Sequence, residues 1–301
     1  MTASPITETE APSPSGNAPW WSAAILRHWP LWAGFFILLV PTLAGLGREV
    51  WSMEIGAHGP IVLATGLWLI SQCLSDMRAR WQPANAMVVA LILVLALPVY
   101  AFGRAYDFIS LEALGVYGAM LALAYRLAGW NALRHNFFPF FYLGFLVPPP
   151  GWLIDQATAP LQTLVSTVAT GILQPFGYPI MREGVTLFVG SYQLLVEDAC
   201  AGMNSIVGLT AITLFYIYLL HRASWRYALL LVALIIPVAI IVNIIRVMAL
   251  ILLTYYFGDG VAQGFLHVTT GIVLFTVALA GMFALDWLLQ RVLGKMLGAT
   301  A

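Results

Sequence analysis

Charge is what this sequence has least of. Only 9% of its 301 residues are Asp, Glu, Lys or Arg, whereas a soluble domain carries about 25%. The 13 bases and 13 acids cancel, which argues against a basic face for nucleic acid. Two cysteines are too few for a secreted module stapled by disulfides. Since 61% of the residues are apolar, the composition predicts a helical membrane protein instead.

Sequence motifs for several common chemistries are also missing. The chain has no HExxH or paired CxxC metal motif, and no GxGxxG or P-loop for nucleotides. It has no GxSxG nucleophile elbow either. We therefore expect no metal and no other cofactor.

Apolar runs of near-spanning length predict the fold class, an all-α polytopic membrane protein with about eight transmembrane helices. A run of ~20 residues can cross the ~30 Å hydrocarbon layer as a helix. The predicted spans are 30–46, 59–77, 84–102, 108–126, 135–149, 201–220, 227–257 and 267–289. The fifth is the weakest, because it is short and ends at three consecutive prolines that cannot continue a helix.

The distribution of bases predicts the orientation of these spans. With the N-terminus inside, nine bases fall on the cytoplasmic side and three on the other, while Arg246 lies within the seventh run. This asymmetry favours two cytoplasmic termini. Four regions follow: a disordered cytoplasmic tail (1–19), a five-helix membrane region (20–149), an outward-facing connection (150–200) and a C-terminal three-helix membrane region (201–301).

The outward-facing connection contains two predicted elements. Its first part has the composition of a helix of moderate polarity lying on or near the membrane surface. After Pro179, the runs 185–189 and 192–196 predict a β-hairpin whose two-residue turn is Gly190-Ser191.

Three side chains suited to nucleophilic, electrostatic or acid–base catalysis are predicted to converge in the outer third of the membrane. Cys200 lies where the hairpin enters span six, and His267 begins span eight from the outside. Arg246 lies about ten residues from the outer end of span seven, or ~15 Å along a helix. A buried guanidinium is costly in a membrane, so it predicts an anion-binding role toward a thiolate, a substrate carboxylate or an oxyanion.

Each of these residues also has a structural alternative. Arg246 could extend its side chain to the interface or pair with a structural carboxylate. Cys200 could be a small hydrophobe, although a thiol at a helix N-terminus near a cation ionises readily. His267 could be an interfacial histidine rather than a general acid or base.

Four further residues are candidate substrate-binding or supporting groups. Asn243 shares a helical face with Arg246, and Asn204 lies one turn after Cys200. Gly202 leaves room for a substrate backbone, and Glu197 is a candidate cap for span six.

The remaining cysteine and histidines receive structural assignments. Cys73 is expected to pack in span two without forming a disulfide to Cys200. The other histidines lie at loop or helix ends, where solvation is the default expectation; they are His28, His58, His135 and His221.

Three segments resemble the exosortase/archaeosortase family: VEDACAGMNSIVGL, NIIRVMALILL and FLHVTTG. The resemblance extends over roughly 140–285. It implies a cysteine nucleophile at Cys200, with Arg246 and His267 as its catalytic partners. One departure is Ala201, where the family commonly has serine.

The resemblance further implies a membrane-embedded cysteine protease or transpeptidase of the bacterial cytoplasmic (inner) membrane. Its partners would be exported proteins whose C-terminal, PEP-CTERM-like sorting signal combines a short proline-containing motif, a transmembrane helix and a basic tail. Cleavage would occur at the periplasmic face. Two alternatives stay open: a transporter, or a non-catalytic membrane component of exopolysaccharide export.

Overall fold

The computed structural model describes residues 29–52, 56–184, 186–190, 192–195, 204–220, 225–258 and 265–297. Within these ranges, ten α-helices and three short strands form the molecule. The helices are α1 Trp29–Gly45, α2 Gly59–Ala79, α3 Ala86–Ala105, α4 Ile109–Ala128, α5 Trp130–His135, α6 Phe137–Leu143, α7 Gly151–Leu173, α8 Asn204–Leu220, α9 Trp225–Phe257 and α10 Phe265–Leu297. The strands are β1 Ile180–Glu183, β2 Thr186–Val189 and β3 Tyr192–Leu195.

Five helices in the described part of the chain are long and apolar enough to cross a membrane. They are Trp29–Val50, Gly59–Ala79, Ala86–Ala105, Ile109–Ala128 and Leu229–Phe257. These correspond to the predicted spans one to four and seven, so the multi-pass helical fold is confirmed. Eight spans are not. The predicted sixth span coincides with α8, whose residues Val207–Leu219 form a shorter apolar helix. The predicted eighth span coincides with α10.

The predicted fifth span is broken into pieces. Helices α5 and α6 have six and seven residues, too few to cross a hydrocarbon layer. Residues Phe137–Leu146 and Gly151–Phe176 meet at a bend of 86°, and together they make a sixth candidate crossing. The break contains Pro148, Pro149 and Pro150, which supply no backbone N–H and so cannot continue a helix.

The predicted hairpin is present, within a larger sheet. Strands β2 and β3 pair antiparallel, with Val189 opposite Tyr192. Gly190 in the turn has φ +61°, a conformation that favours glycine. An additional strand, β1, pairs with β2, so the sheet has three strands rather than two. Only Ile180 of β1 is buried, which leaves no alternating apolar pattern for sequence analysis to detect.

Helices α3 and α4 form a tightly packed pair because glycines remove side chains from their contact. A Cβ atom added to Gly115 would lie 2.6 Å from the backbone nitrogen of Tyr100. One added to Gly103 would lie 2.3 Å from the backbone nitrogen of Glu112. This contact allows no larger residue without separating the two helices.

One apolar core joins the sheet to α7 and α9. We call it the sheet core. Its buried members are Val165, Ala169 and Leu173 of α7, Ile180, Leu187, Val189 and Leu194 of the sheet, and Val247, Leu250 and Ile251 of α9. The sheet is therefore fixed against one end of α9, and α7 lies alongside both.

A second core holds the last three helices together. Leu209 of α8, Ile235 of α9, and Ala278 and Met282 of α10 are all buried there. This packing places α8, α9 and α10 side by side.

Candidate functional site

Helix α9 buries an arginine and an asparagine one turn apart. Arg246 and Asn243 are each only 3% exposed. They are three residues apart and therefore share one side of the helix. Their shared helical face agrees with the spacing in the sequence, while a joint role of the two residues stays a prediction.

Among the described residues, the side-chain amide of Asn243 is buried without a hydrogen-bond partner. Within the described part of the chain, neither its amide oxygen nor its amide nitrogen has one. A buried polar group of this kind usually has a partner, such as water or a ligand. Asn243 can thus offer a donor and an acceptor to a bound group.

The sheet core lies directly beside this polar pair. Val247, the residue after Arg246, packs in the same buried cluster as Leu194 of β3. Cys200 follows the end of β3 by five residues, which span at most about 18 Å. It precedes the first residue of α8 by four, at most about 14 Å.

Several candidate residues fall on segments for which the structure gives no side chain. Cys200, Glu197 and Gly202 lie outside the described residues. Asn204 is the first residue of α8 and His267 is the third residue of α10, each described in backbone only. The meeting of thiol, guanidinium and imidazole therefore stays a prediction.

An apolar cavity of about 210 Å³ lies near the start of α8. We call it the His58 cavity. It is lined by Val50, Trp51, Gly56, His58, Gly59, Phe145, Leu146, Pro148, Pro149, Leu153, Ile154, Ala157, Thr158 and Val207. Four separate segments build it: the turn before α2, the proline break, the first turns of α7, and α8.

The environment of His58 differs from the solvated one expected of it. Its side chain packs against Gly208, where an added Cβ would lie 3.2 Å from the His58 Cβ and 3.5 Å from its Nδ1. Burial lowers the pKa of the imidazole, and a backbone hydrogen bond with Phe145 opposes this less strongly. His58 is therefore a neutral group beside an apolar cavity.

A buried carboxylate, Asp286, links the three C-terminal helices. Tyr216 of α8 donates to one oxygen at 2.7 Å, and Gln290 of α10 donates to the same oxygen at 2.8 Å. Tyr227 of α9 donates to the other oxygen. Sequence analysis missed this cluster, although an aspartate within the predicted eighth span was a visible signal.

Cys73 is a free thiol in α2. It packs beside a small core that includes Met77 and Ala132, and its sulfur lies 4.0 Å from the hydroxyl of Tyr218. This environment agrees with the packing role expected from the sequence. Across the described residues, no three or more His, Cys, Asp or Glu side chains cluster as a metal site would require.

A family model described as transmembrane exosortase (Exosortase_EpsH) matches residues 50–284. The matched range contains the His58 cavity, Arg246 and His267, and it starts well before residue 140, where the motif resemblance begins. No curated protein matches the chain. No solved structure matches it either.

Proposed function

The chain belongs to the transmembrane exosortase family, and we propose on this basis that it is a membrane cysteine transpeptidase. Its substrates are exported proteins that end in a proline-containing, PEP-CTERM-like motif, an apolar helix and a basic tail. Cleavage occurs at the periplasmic face of the bacterial inner membrane. Both termini lie in the cytoplasm, in agreement with the distribution of bases.

The burial of Arg246 beside the sheet core is the observation that carries this proposal. A guanidinium near the middle of a membrane helix costs about 2.5–3.5 kcal/mol on insertion scales and faces the protein interior in nearly all known cases. Such a cost is characteristic of a functional residue. The next residue, Val247, packs in the same core as Leu194 of β3, and Cys200 follows the end of that strand by five residues.

The proposed reaction has two steps. The Cys200 thiolate attacks the scissile carbonyl, the C–N bond breaks, and the new amine leaves with a proton from His267. The product is a thioester between Cys200 and the new carboxyl end. An acceptor nucleophile then loses a proton to His267 and attacks the thioester, which releases the Cys200 thiolate and restores both groups to their starting protonation states.

Arg246 and Asn243 have the chemistry to support both steps. The guanidinium stabilises the thiolate before attack and the oxyanion of each tetrahedral intermediate. The Asn243 amide, which has no described partner, can donate to the same oxygen. Asn204, Gly202 and Glu197 are proposed to shape the substrate path near the thiol.

Trapping a covalent intermediate tests the proposal. The purified full-length chain, in lipid vesicles, is mixed with a reporter protein carrying the three-part C-terminal signal. We expect an adduct on Cys200 by mass spectrometry, and loss of processing in C200S, R246A and H267A. The matched control C73S should process the reporter normally.

Two outcomes would favour the alternatives. A transporter would retain its activity in C200A, and a non-catalytic export component would tolerate all three substitutions. Unchanged processing in C200S, R246A and H267A would therefore overturn the enzyme proposal.

A further inference from the structure

We propose that the His58 cavity binds one apolar side chain of the polypeptide substrate, while His58 accepts a hydrogen bond from the adjacent substrate backbone. This inference rests on the proposed function, because it specifies where that substrate is held. His58 is a positioning residue in this scheme. The thiol chemistry stays with Cys200.

The size of the cavity selects one side chain. Its volume is about 210 Å³, and an engineered apolar cavity of ~150 Å³ binds benzene. The space therefore suits a ring or a branched aliphatic group. Its walls are suited to such a group, since they include Phe145, Leu146, Leu153 and Ile154.

The polar chemistry of the cavity favours a peptide over a lipid chain. The Thr158 hydroxyl is already engaged, donating to the Asp155 carbonyl and accepting from Gln162. Burial lowers the pKa of the His58 imidazole and so favours its neutral form, in which one ring nitrogen accepts a hydrogen bond. A backbone N–H can satisfy that acceptor, whereas an acyl chain has no donor.

Helix α7 connects the cavity to the core that lies beside Arg246. The first turns of α7 line the cavity with Ala157, and Val165 of the same helix packs in the sheet core with Val247. Eight residues of helix separate Ala157 from Val165, or about 12 Å. A substrate anchored in the cavity can thus extend along α7 toward Arg246.

Glycines keep this arrangement in place. A Cβ on Gly59 would lie 2.1 Å from the Trp51 indole nitrogen, so only glycine lets the turn close on α2. Gly208 similarly allows α8 to approach His58. Close packing at these two glycines therefore fixes the position of the cavity wall.

Cross-linking tests occupancy without requiring cleavage. The reporter is made with photo-leucine at successive positions before the cleavage point and bound to the full-length C200A chain in vesicles. At one position we expect cross-links to Leu153, Ala157 or Val207. A157W should abolish them because it fills the cavity, whereas A159W, on the same helix outside the lining, should not.

Kinetics on the chain with Cys200 intact test the role of His58. A157W and H58Q should each raise the KM for the reporter about tenfold, the effect of one lost interaction, with little change in kcat. A159W should behave as wild type. A fall in kcat at unchanged KM in H58Q would overturn a positioning role.

The two proposals can fail separately. Absence of reporter cross-links to the lining, or labelling of the lining by a photoreactive lipid but not by the reporter, overturns the cavity proposal. Neither result bears on Cys200. Conversely, processing that survives C200A overturns the enzyme proposal. The cross-linking result then still shows whether the substrate occupies the cavity.

Discussion

Gly208 of α8 lies directly against the imidazole of His58. A methyl group at position 208 would lie 3.2 Å from the His58 Cβ, closer than ordinary van der Waals contact. The absence of a side chain at 208 thus lets a helix cover the histidine. This contact contributes to the burial of His58, which is half-buried and supplies a polar group to the cavity wall.

Covering His58 makes stability depend on pH. Its folded-state pKa is lowered from 6.5 by burial, so the unfolded chain takes up the proton first as the pH falls. The contribution of neutral His58 to the free energy of unfolding is fully present above about pH 6.5. It is lost as the pH falls from there toward the folded-state pKa. Among the described residues that line the cavity, His58 alone is titratable, so the effect is assigned to it.

Melting temperatures of the wild type and H58Q in lipid nanodiscs, between pH 8 and pH 5, check this prediction. Because other groups titrate in both proteins, the informative quantity is the difference between them at each pH. We expect that difference to shift in favour of H58Q as the pH falls. A difference that is constant across the range would contradict the assignment.

Replacing Asn243 should separate stability from activity. Since neither amide atom has a partner among the described residues, Asn243→Leu should leave the free energy of unfolding equal or raise it by about 1–3 kcal/mol. Processing of the reporter should fall at least about tenfold, through loss of a donor to the reacting oxygen. Thermal denaturation and reporter cleavage give the two readouts.

Thr254 supplies the matched control. It is fully buried on the same helix, and its hydroxyl likewise has no partner in the described part of the chain. It lies eight residues, or about 12 Å, beyond Arg246. Thr254→Val should therefore gain stability without losing activity, and a marked destabilisation of Asn243→Leu would show that Asn243 is structural.

Asp286 should matter for stability and not for chemistry. Asp286→Ala removes the acceptor for three side chains at once, so we expect a loss of about 3 kcal/mol, against about 1 kcal/mol for Tyr216→Phe. Its partner Tyr227 lies 19 residues from Arg246 along α9, about 28 Å. Cleavage per folded molecule should stay near the wild-type level.

Denaturant unfolding in micelles measures these losses, and reporter cleavage measures the folded fraction's activity. If Asp286→Ala folded normally but lost processing, the carboxylate would belong to the chemistry after all.

Alanine substitutions at two glycines should have opposite effects. Gly115→Ala inserts a methyl 2.6 Å from the Tyr100 backbone and should cost about 1–3 kcal/mol by forcing α3 and α4 apart. Gly281→Ala meets nothing within 4 Å in the middle of α10. It should stabilise the protein by about 0.4–1 kcal/mol. Melting temperatures of the two variants would show whether close packing or helix propensity dominates at each site.

The local features of the fold were predictable because their signals are local. Apolar runs of spanning length located α2, α3 and α4, and the Gly190-Ser191 turn located the hairpin. The proline break was visible, but its 86° bend was not. A proline ends a helix, whereas the direction of the next helix depends on what it packs against.

The candidate site was only partly predictable for the same reason. The burial of Arg246 was predictable because a charge inside an apolar run must face protein, and Asn243 follows from its three-residue spacing to Arg246. His58 was assigned to solvent, since a helix end is normally hydrated, and its covering by Gly208 comes from a residue 150 positions away. The cavity forms where four segments of the chain meet, and the sequence of no single segment predicts it.

The length of α9 has a consequence for the membrane around it. Its 33 residues extend about 50 Å, well beyond the ~30 Å of hydrocarbon that they must traverse. A helix in such excess tilts, or thickens the lipid around it. Because Arg246 is fixed to this helix, we expect the acyl-chain length of the host lipids to set the depth of its guanidinium below the headgroups.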